Sequence, residues 1–172
     1  MLFYSLDKRQ NIIYTYKYQE QTKKGAVNTM QNPTIEQRIK ALAAFLGVNV
    51  EDLEVSSYDE TIIESGAEEY KVLTDEEAYQ ATREYIEESL WAFKASFIAS
   101  HCKTVLSDKS IKAIAKMQEE LCEDANEIVK ALIEDMDRFV DDAIDTDGRG
   151  QFLSSYDSEE YERDNFFIYR QN

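Results

Sequence analysis

The chain of 172 residues holds one proline, five glycines, two cysteines, one histidine and one tryptophan. Each scarcity excludes something. So little proline and glycine rules out a collagen-like or linker-like chain. Two cysteines, Cys102 and Cys122, are too few for the disulfide framework of a small secreted domain, so reduced thiols in the cytoplasm are expected. A single histidine leaves Glu-x-x-His carboxylate metal sites without ligands. No apolar run approaches the ~20 residues of a membrane-spanning helix, and no secretory signal is visible. P-loop, dinucleotide and nucleophile-elbow fingerprints are missing too, so neither catalytic residues nor a cofactor or metal is expected. Positive charge is the scarcest commodity relative to its opposite: 19 Lys and Arg stand against 35 Asp and Glu, for a net charge of −16.

That charge is unevenly placed. Residues 1–29 carry five basic and two acidic side chains, a balance of +3, so the remainder holds −19. Such a surface repels nucleic acid and membrane phosphate and attracts basic proteins. What is present otherwise is globular: 43% hydrophobic and 12% aromatic residues supply a real core for one domain.

Residues 2–6 and 11–18 alternate apolar and polar around Asp7-Lys8-Arg9-Gln10 and predict an N-terminal β-hairpin. A polar linker over 19–33 follows. Met30 comes shortly after Lys23-Lys24-Gly25-Ala26, whose codons can resemble a ribosome-binding site. Residues 1–29 therefore read either as a hairpin extension with its linker or as a translated leader, and 30–172 as a single acidic domain.

Thr34-Ile-Glu-Gln37 has the form of a capping box. Ile35, Ile39, Leu42, Ala43 and Leu46 share a helical face, and Gly47 stops the helix. The Leu46–Leu53 stretch hints at a helix-turn-helix but lacks the basic residues that hold phosphate, so a packing unit is the better reading. Residues 61–64 and 69–73 predict a hairpin turning near Gly66. Thr74-Asp-Glu-Glu77 is a second capping box. From it, Ala78, Ala81, Tyr85, Leu90, Phe93, Phe97 and Ile98 keep helical spacing to about Lys103. Ser107-Asp108 caps another run, through Ile111, Ile114, Ala115, Leu121, Ile128, Leu132 and Phe139, with a break near Glu123–Ala125. Two long neighbouring helices should pack as an antiparallel hairpin. Strands near 151–155 and 166–170 complete an α+β fold: a long acidic helical hairpin with a small antiparallel sheet.

Several residues invite a functional reading. Asp145-Thr-Asp147-Gly148 resembles the middle of a calcium loop, but Ala143 and Ser154 fall where carboxylates are needed, so a turn is expected instead. Arg149 between Gly148 and Gly150 either clamps an anion or pairs internally with Asp145, Asp157 or a hairpin glutamate, the second being favoured. Tyr156, Asp157, Tyr169 and Arg170 should knit the sheet edge to the long helix. His101, Cys102 and Cys122 have no zinc spacing, and neighbours on a helix point about 100° apart, so buried structural cysteines are expected.

The run Asp147-Gly-Arg-Gly-x-x-Leu-x-x-Tyr-Asp-x-x-Glu160, closing on Phe167-Ile-Tyr-Arg-x-Asn172, resembles the C-terminal signature of a group of small bacteriophage and mobile-element proteins. The short helix from Thr34, the hairpin at Tyr58-Asp59 and the Glu69-Tyr-Lys-Val-Leu-Thr-Asp-Glu-Glu-Ala78 entry to an acidic helix are similar too. The likeness spans residues 34–172; residues 1–29 and 108–142 lie outside its pattern. It implies a phage or mobile-element origin in a bacterial host cell and offers no catalytic residue to carry over.

Charge and resemblance together lead to an expectation. Carboxylates on rigid helices can imitate the phosphates of a duplex and fill the basic channel of a nuclease. The expected function is inhibition of a CRISPR- or restriction-type defence protein by direct binding, as a nucleic-acid mimic. The expected contacts are Glu119, Glu120, Glu123, Asp124, Glu134, Asp135, Asp141 and Asp142. A phage accessory domain with another basic partner, or a metal-dependent enzyme, are the alternatives. A homo-oligomer is left open.

Overall fold

The computed structural model of the chain describes residues 33–172. The N-terminal hairpin over 2–18 and nearly all of the 19–33 linker lie outside the described residues. The chain enters at the first capping box. Thr34 Oγ1 accepts from the Gln37 backbone N–H at 3.3 Å, and Gln37 Oε1 accepts from the Thr34 N–H at 2.8 Å. The first helix, α1, runs Ile35–Leu46 and ends on Gly47 at φ 71°, whose N–H donates to the Ala43 carbonyl. Leu42 and its neighbours Ala41 and Ala43 are buried, whereas Ile35 stays exposed at the helix start.

Beyond a 3-10 turn at Val50–Asp52, the chain forms β1 (Glu54–Val55), β2 (Ile62–Ser65) and β3 (Glu68–Leu73), the last two joined at Gly66. The final strands, β4 (Tyr161–Arg163) and β5 (Phe166–Arg170), turn through Asp164 and Asn165, both at positive φ as a two-residue hairpin of this twist requires. All neighbours pair antiparallel, in the order β1-β2-β3-β5-β4. The C-terminal β5 thus lies beside β3, with Val72 opposite Ile168 and Leu73 opposite Phe167. Leu42, Ile63, Val72 and Ile168 fill the core between α1 and the sheet.

Helices occupy the sequence between the strands: α2 (Asp75–Glu88), a 3-10 turn (Leu90–Ala92), α3 (Ala95–Ser100), α4 (Asp108–Leu121), a 3-10 turn (Cys122–Ala125), α5 (Asn126–Leu132), α6 (Met136–Asp147) and α7 (Gly150–Leu153). The α+β class and the antiparallel sheet stand as expected, and so does the break near residues 123–125. The two long helices, however, are each interrupted. At Ser89 the hydroxyl donates to the Tyr85 carbonyl, and the Asn126 side chain accepts from the Trp91 N–H and donates to the Glu87 carbonyl. Those bonds satisfy the groups that a continuing helix would use. At Ile133 the backbone turns extended and bridges Cys102. The pieces enclose a second core of Ile86, Leu90, Ile98, Val129, Phe139 and Val140. Edge-to-face contacts join Phe139 to Phe93 and Phe97, with ring centroids 5.1 and 4.9 Å apart.

The strand predicted at 151–155 is replaced by α7. Its N–H groups return to the carbonyls of Arg149 and Gly150, and Leu153 drops against Leu73, Ala78 and Tyr169 in a third cluster that joins sheet to helices.

Candidate protein-binding surface

The glycine-arginine-glycine motif is an internal fastening. Gly148 takes φ 75° to end α6. Gly150 packs so closely under the following loop that a Cβ there would lie 2.5 Å from the Ser158 carbonyl oxygen. Between them Arg149, with 12% of its side chain exposed, reaches across both ends of the motif. Its Nε and Nη2 donate to the two oxygens of Glu160 at 2.8 and 3.0 Å, and Nη1 donates to Asp75 Oδ1 at 2.8 Å. The guanidinium lies 4.2 Å from the Phe167 ring centroid, and Tyr169 donates to Glu160 at 2.6 Å. Burial works against the Arg149 cation, but the Glu160 and Asp75 carboxylates hold it more firmly charged than usual. Burial and the Glu160 bond raise the Tyr169 phenol. An internal ion pair was expected; its partners are Asp75 and Glu160 rather than Asp145, Asp157 or a hairpin glutamate.

The rest of the motif closes on itself similarly. Asp157 accepts from Ser154 Oγ at 2.7 Å, the Glu159 N–H at 3.0 Å and Tyr161 at 3.1 Å. Burial opposes its ionisation, but these bonds outweigh it and hold the carboxyl below its usual range. Arg170 lies over the Tyr156 ring at 3.9 Å and donates to Glu68 at 2.5 Å across the sheet. These residues join strand to strand and to the turn after α7. Asp147 sits at the end of α6, half-buried; burial pushes its carboxyl up to about 6 although Lys94 works the other way. Asp145 is raised as well, by burial and then by the charges of Asp142 and Asp141.

The acids of the helical half divide by their contacts. Asp135 caps α6 by accepting from the Arg138 N–H at 3.1 Å; Asp141 accepts from Tyr79 at 3.1 Å; Asp142 faces His101 Nε2 at 3.0 Å and Arg138 at 3.6 Å. Those three serve the fold. Among the described residues Glu120 meets only Lys116, one helical turn back, at 3.4 Å. Glu119, Glu123, Asp124 and Glu134 are exposed and take no side-chain partner among the described residues. Three of these, with Glu120, lie along the last turn of α4 and the 3-10 turn after it; Glu134 stands apart, in the link before α6. Meanwhile every arginine of the described residues is paired inside the molecule: Arg38 with Glu77, Arg83 with Asp137 and Glu87, Arg138 with Asp142, Arg149 with Glu160, Arg163 with Asp164 and Arg170 with Glu68. Among the described residues, no arginine pairs with Glu119, Glu120, Glu123, Asp124 or Glu134.

Other readings lose their geometry. Asp145 and Asp147 lie within or at the end of a helix, so they cannot wrap a cation as a loop does. Among the described residues no group of three His, Cys, Asp or Glu side chains is placed to hold a metal ion. The helix-turn-helix hint fails because α1 leads only into a three-residue 3-10 turn, too short to read a groove. Cys102 is half-buried, and burial raises its thiol. Cys122, expected to be buried, is exposed, because it occupies the turn that breaks α4 from α5. Among the described residues no helix is long and apolar enough to cross a membrane.

Sequence reasoning missed several organising residues. Arg38, buried, donates to Glu77 through both ends of its fork at 2.9 and 2.6 Å and to the Val72 carbonyl at 2.6 Å. Glu87 gathers Arg83 and Lys130, each at 2.9 Å. The only signal for the first was Glu77's place in the capping box; nothing local marks its second partner. No protein-family model, curated protein or solved structure matches the chain.

Proposed function

We propose that this chain is a non-enzymatic phage or mobile-element protein that inhibits a nucleic-acid-handling defence protein of its bacterial host by occupying that protein's basic surface. The observation that carries the reading is the division of charge. The acids that hold the fold are matched to arginines, to His101 or to hydroxyl and backbone donors, while among the described residues Glu119, Glu123 and Asp124, at the end of α4 and on the next turn, and Glu134, in the link before α6, are displayed without such partners. A fold of this size needs a net charge of magnitude about 2–8 for solubility; this one carries −16. The helical backbone that carries these carboxylates is already ordered, and their field speeds the encounter with a basic channel.

The test is binding to purified CRISPR effectors and restriction nucleases, with Glu119, Glu120, Glu123 and Asp124 each replaced by lysine in one variant. Wild type should bind at least about tenfold more weakly when salt rises from about 0.1 to 0.5 M, and duplex DNA or RNA should displace it. The variant should lose binding while keeping its circular dichroism. Unchanged affinity in the variant would sink the reading. Binding indifferent to nucleic acid would make the protein an accessory domain with a basic partner and no mimicry.

A further inference from the structure

An open groove of about 640 Å³ runs between the Leu90–Phe93 segment with the start of α3 and the exposed side of α4. Trp91, Phe93, Ile111 and Ala115 give it an apolar lining, which Glu119, Cys122 and Lys94 share. Hydrogen bonds set its width. The Gln118 amide donates to the Trp91 carbonyl at 2.6 Å and to the Phe93 carbonyl at 2.8 Å, tying that wall to α4. Asn126 holds the same segment from the other direction, through the Trp91 N–H and the Glu87 carbonyl. These bonds fix the backbone of that wall against α4 and α5.

Imitation of a phosphate backbone makes no use of an apolar groove, since that recognition is carried by charge and polar contacts. Here the groove adjoins exposed acids: Glu119 in its lining, with Glu120, Glu123 and Asp124 beside it at the end of α4 and on the next turn. An occupant must bring apolar anchors and positive flanks. We propose that the groove receives an amphipathic helical segment of the basic partner, with aliphatic side chains at i, i+3 and i+4 seated against Trp91 and Ile111 and with lysine or arginine facing the acids. This rests on the reading of the chain as a binder of a basic protein, and it names the chemistry of the segment recognised. Charge sets how fast the partners meet; the groove sets how long they stay.

Trp91 is the one tryptophan of the chain, so its fluorescence reports occupancy directly. Two tryptophan-free helical peptides of about five turns serve as probes: a Lys/Leu amphipathic sequence and a Lys/Ser sequence of equal charge. They are titrated into the full chain at about 0.1 M salt, with calorimetry in parallel. The Lys/Leu peptide should shift the Trp91 emission and bind at least about tenfold more tightly than Lys/Ser. Ala115→Gln and Ala92→Gln fill the groove without changing charge, and each should weaken only the Lys/Leu peptide, by about fivefold or more. Ala92 is exposed, so its variant remains informative if the half-buried Ala115 position fails to fold. Equal affinity for both peptides with Trp91 silent, or undiminished Lys/Leu binding in the filled variants, overturns the groove while leaving the acidic surface as a receptor for basic partners. Binding of neither peptide overturns both.

Discussion

A methyl group added at Gly150 would sit 2.5 Å from the Ser158 carbonyl oxygen, 2.7 Å from the Glu159 carbonyl carbon and 2.9 Å from the Glu160 nitrogen. All three are backbone atoms, so no rotamer change relieves the clash. The loop must lift, and with it Glu160, the bidentate partner of Arg149. Gly150→Ala should therefore cost about 2–3 kcal/mol in urea unfolding, at the upper end for overpacking. Gly47→Ala meets only empty space, at φ 71°, and should cost about 1 kcal/mol. Equal losses at the two glycines would show that the loop does not rest on Gly150. Asp147 offers a residue-scale test in pH. Its folded carboxyl, at about 6, lies above its ordinary 3.8, so the folded state holds the proton more tightly. The stabilisation from that proton is complete below about pH 3.8 and is lost as pH rises through about 6. Glu77 and Asp157, both lowered, act in the opposite sense and only at lower pH. Asp147→Asn should come close to wild type in denaturant midpoint near pH 3.5 and exceed it clearly at pH 7.5. Parallel midpoints at both values would refute the burial of this carboxyl.

Elements whose signals are local were legible in the sequence. The two capping boxes are such signals: four residues specify both hydrogen bonds, and Thr34-Gln37 and Thr74-Glu77 each open a helix. So were the turn at Gly66 and the interruption near Glu123. The features that escaped depend on distant partners. Asn126 holds the end of α2 open from thirty-nine residues away, through the Glu87 carbonyl. Asp75 meets Arg149 seventy-four residues on. Alternation over 151–155 suggested a strand, yet Gly150 and the need to seat Leu153 beside Tyr169 favour one helical turn. Of the candidate site, the exposure of Glu119, Glu123 and Asp124 followed from helical spacing. The diversion of Asp135, Asp141 and Asp142 to internal partners did not. The break itself carries a prediction. Cys122 sits at φ 49°, ψ −126°, a conformation natural to glycine and strained by about 1–3 kcal/mol for other residues. Its side chain is exposed and contributes little packing. Cys122→Gly should raise stability by about 1 kcal/mol, measured by thermal unfolding under reducing conditions. A loss of that size would mean that the thiol, not the turn, matters to the fold.

At the scale of the whole molecule, the surplus of acid has a consequence for stability that is independent of any partner. A net charge of −16 on a chain of 172 residues repels itself, and compaction brings those charges together. Added salt screens this repulsion; it also weakens surface ion pairs, which contribute little to begin with. The strongest pairs here escape screening: Arg38 has only 4% of its side chain exposed and Arg149 12%, and each is gripped through its fork. The repulsive contribution should therefore dominate the response. Raising sodium chloride from about 0.05 to 0.5 M should lift the melting temperature by about 2–4 °C, the equivalent of roughly 1 kcal/mol. The variant with Glu119, Glu120, Glu123 and Asp124 changed to lysine carries −8, since each exchange alters the charge by two. It should melt higher than wild type at low salt and respond less to added salt. Among the described residues its partners are few: of the four, only Glu120 takes an ion pair, an exposed one with Lys116. A melting temperature that falls with salt, or a variant less stable than wild type at low salt, would show these acids to be held by attractive contacts. They would then be part of the scaffold, and their display could no longer be ascribed to a partner.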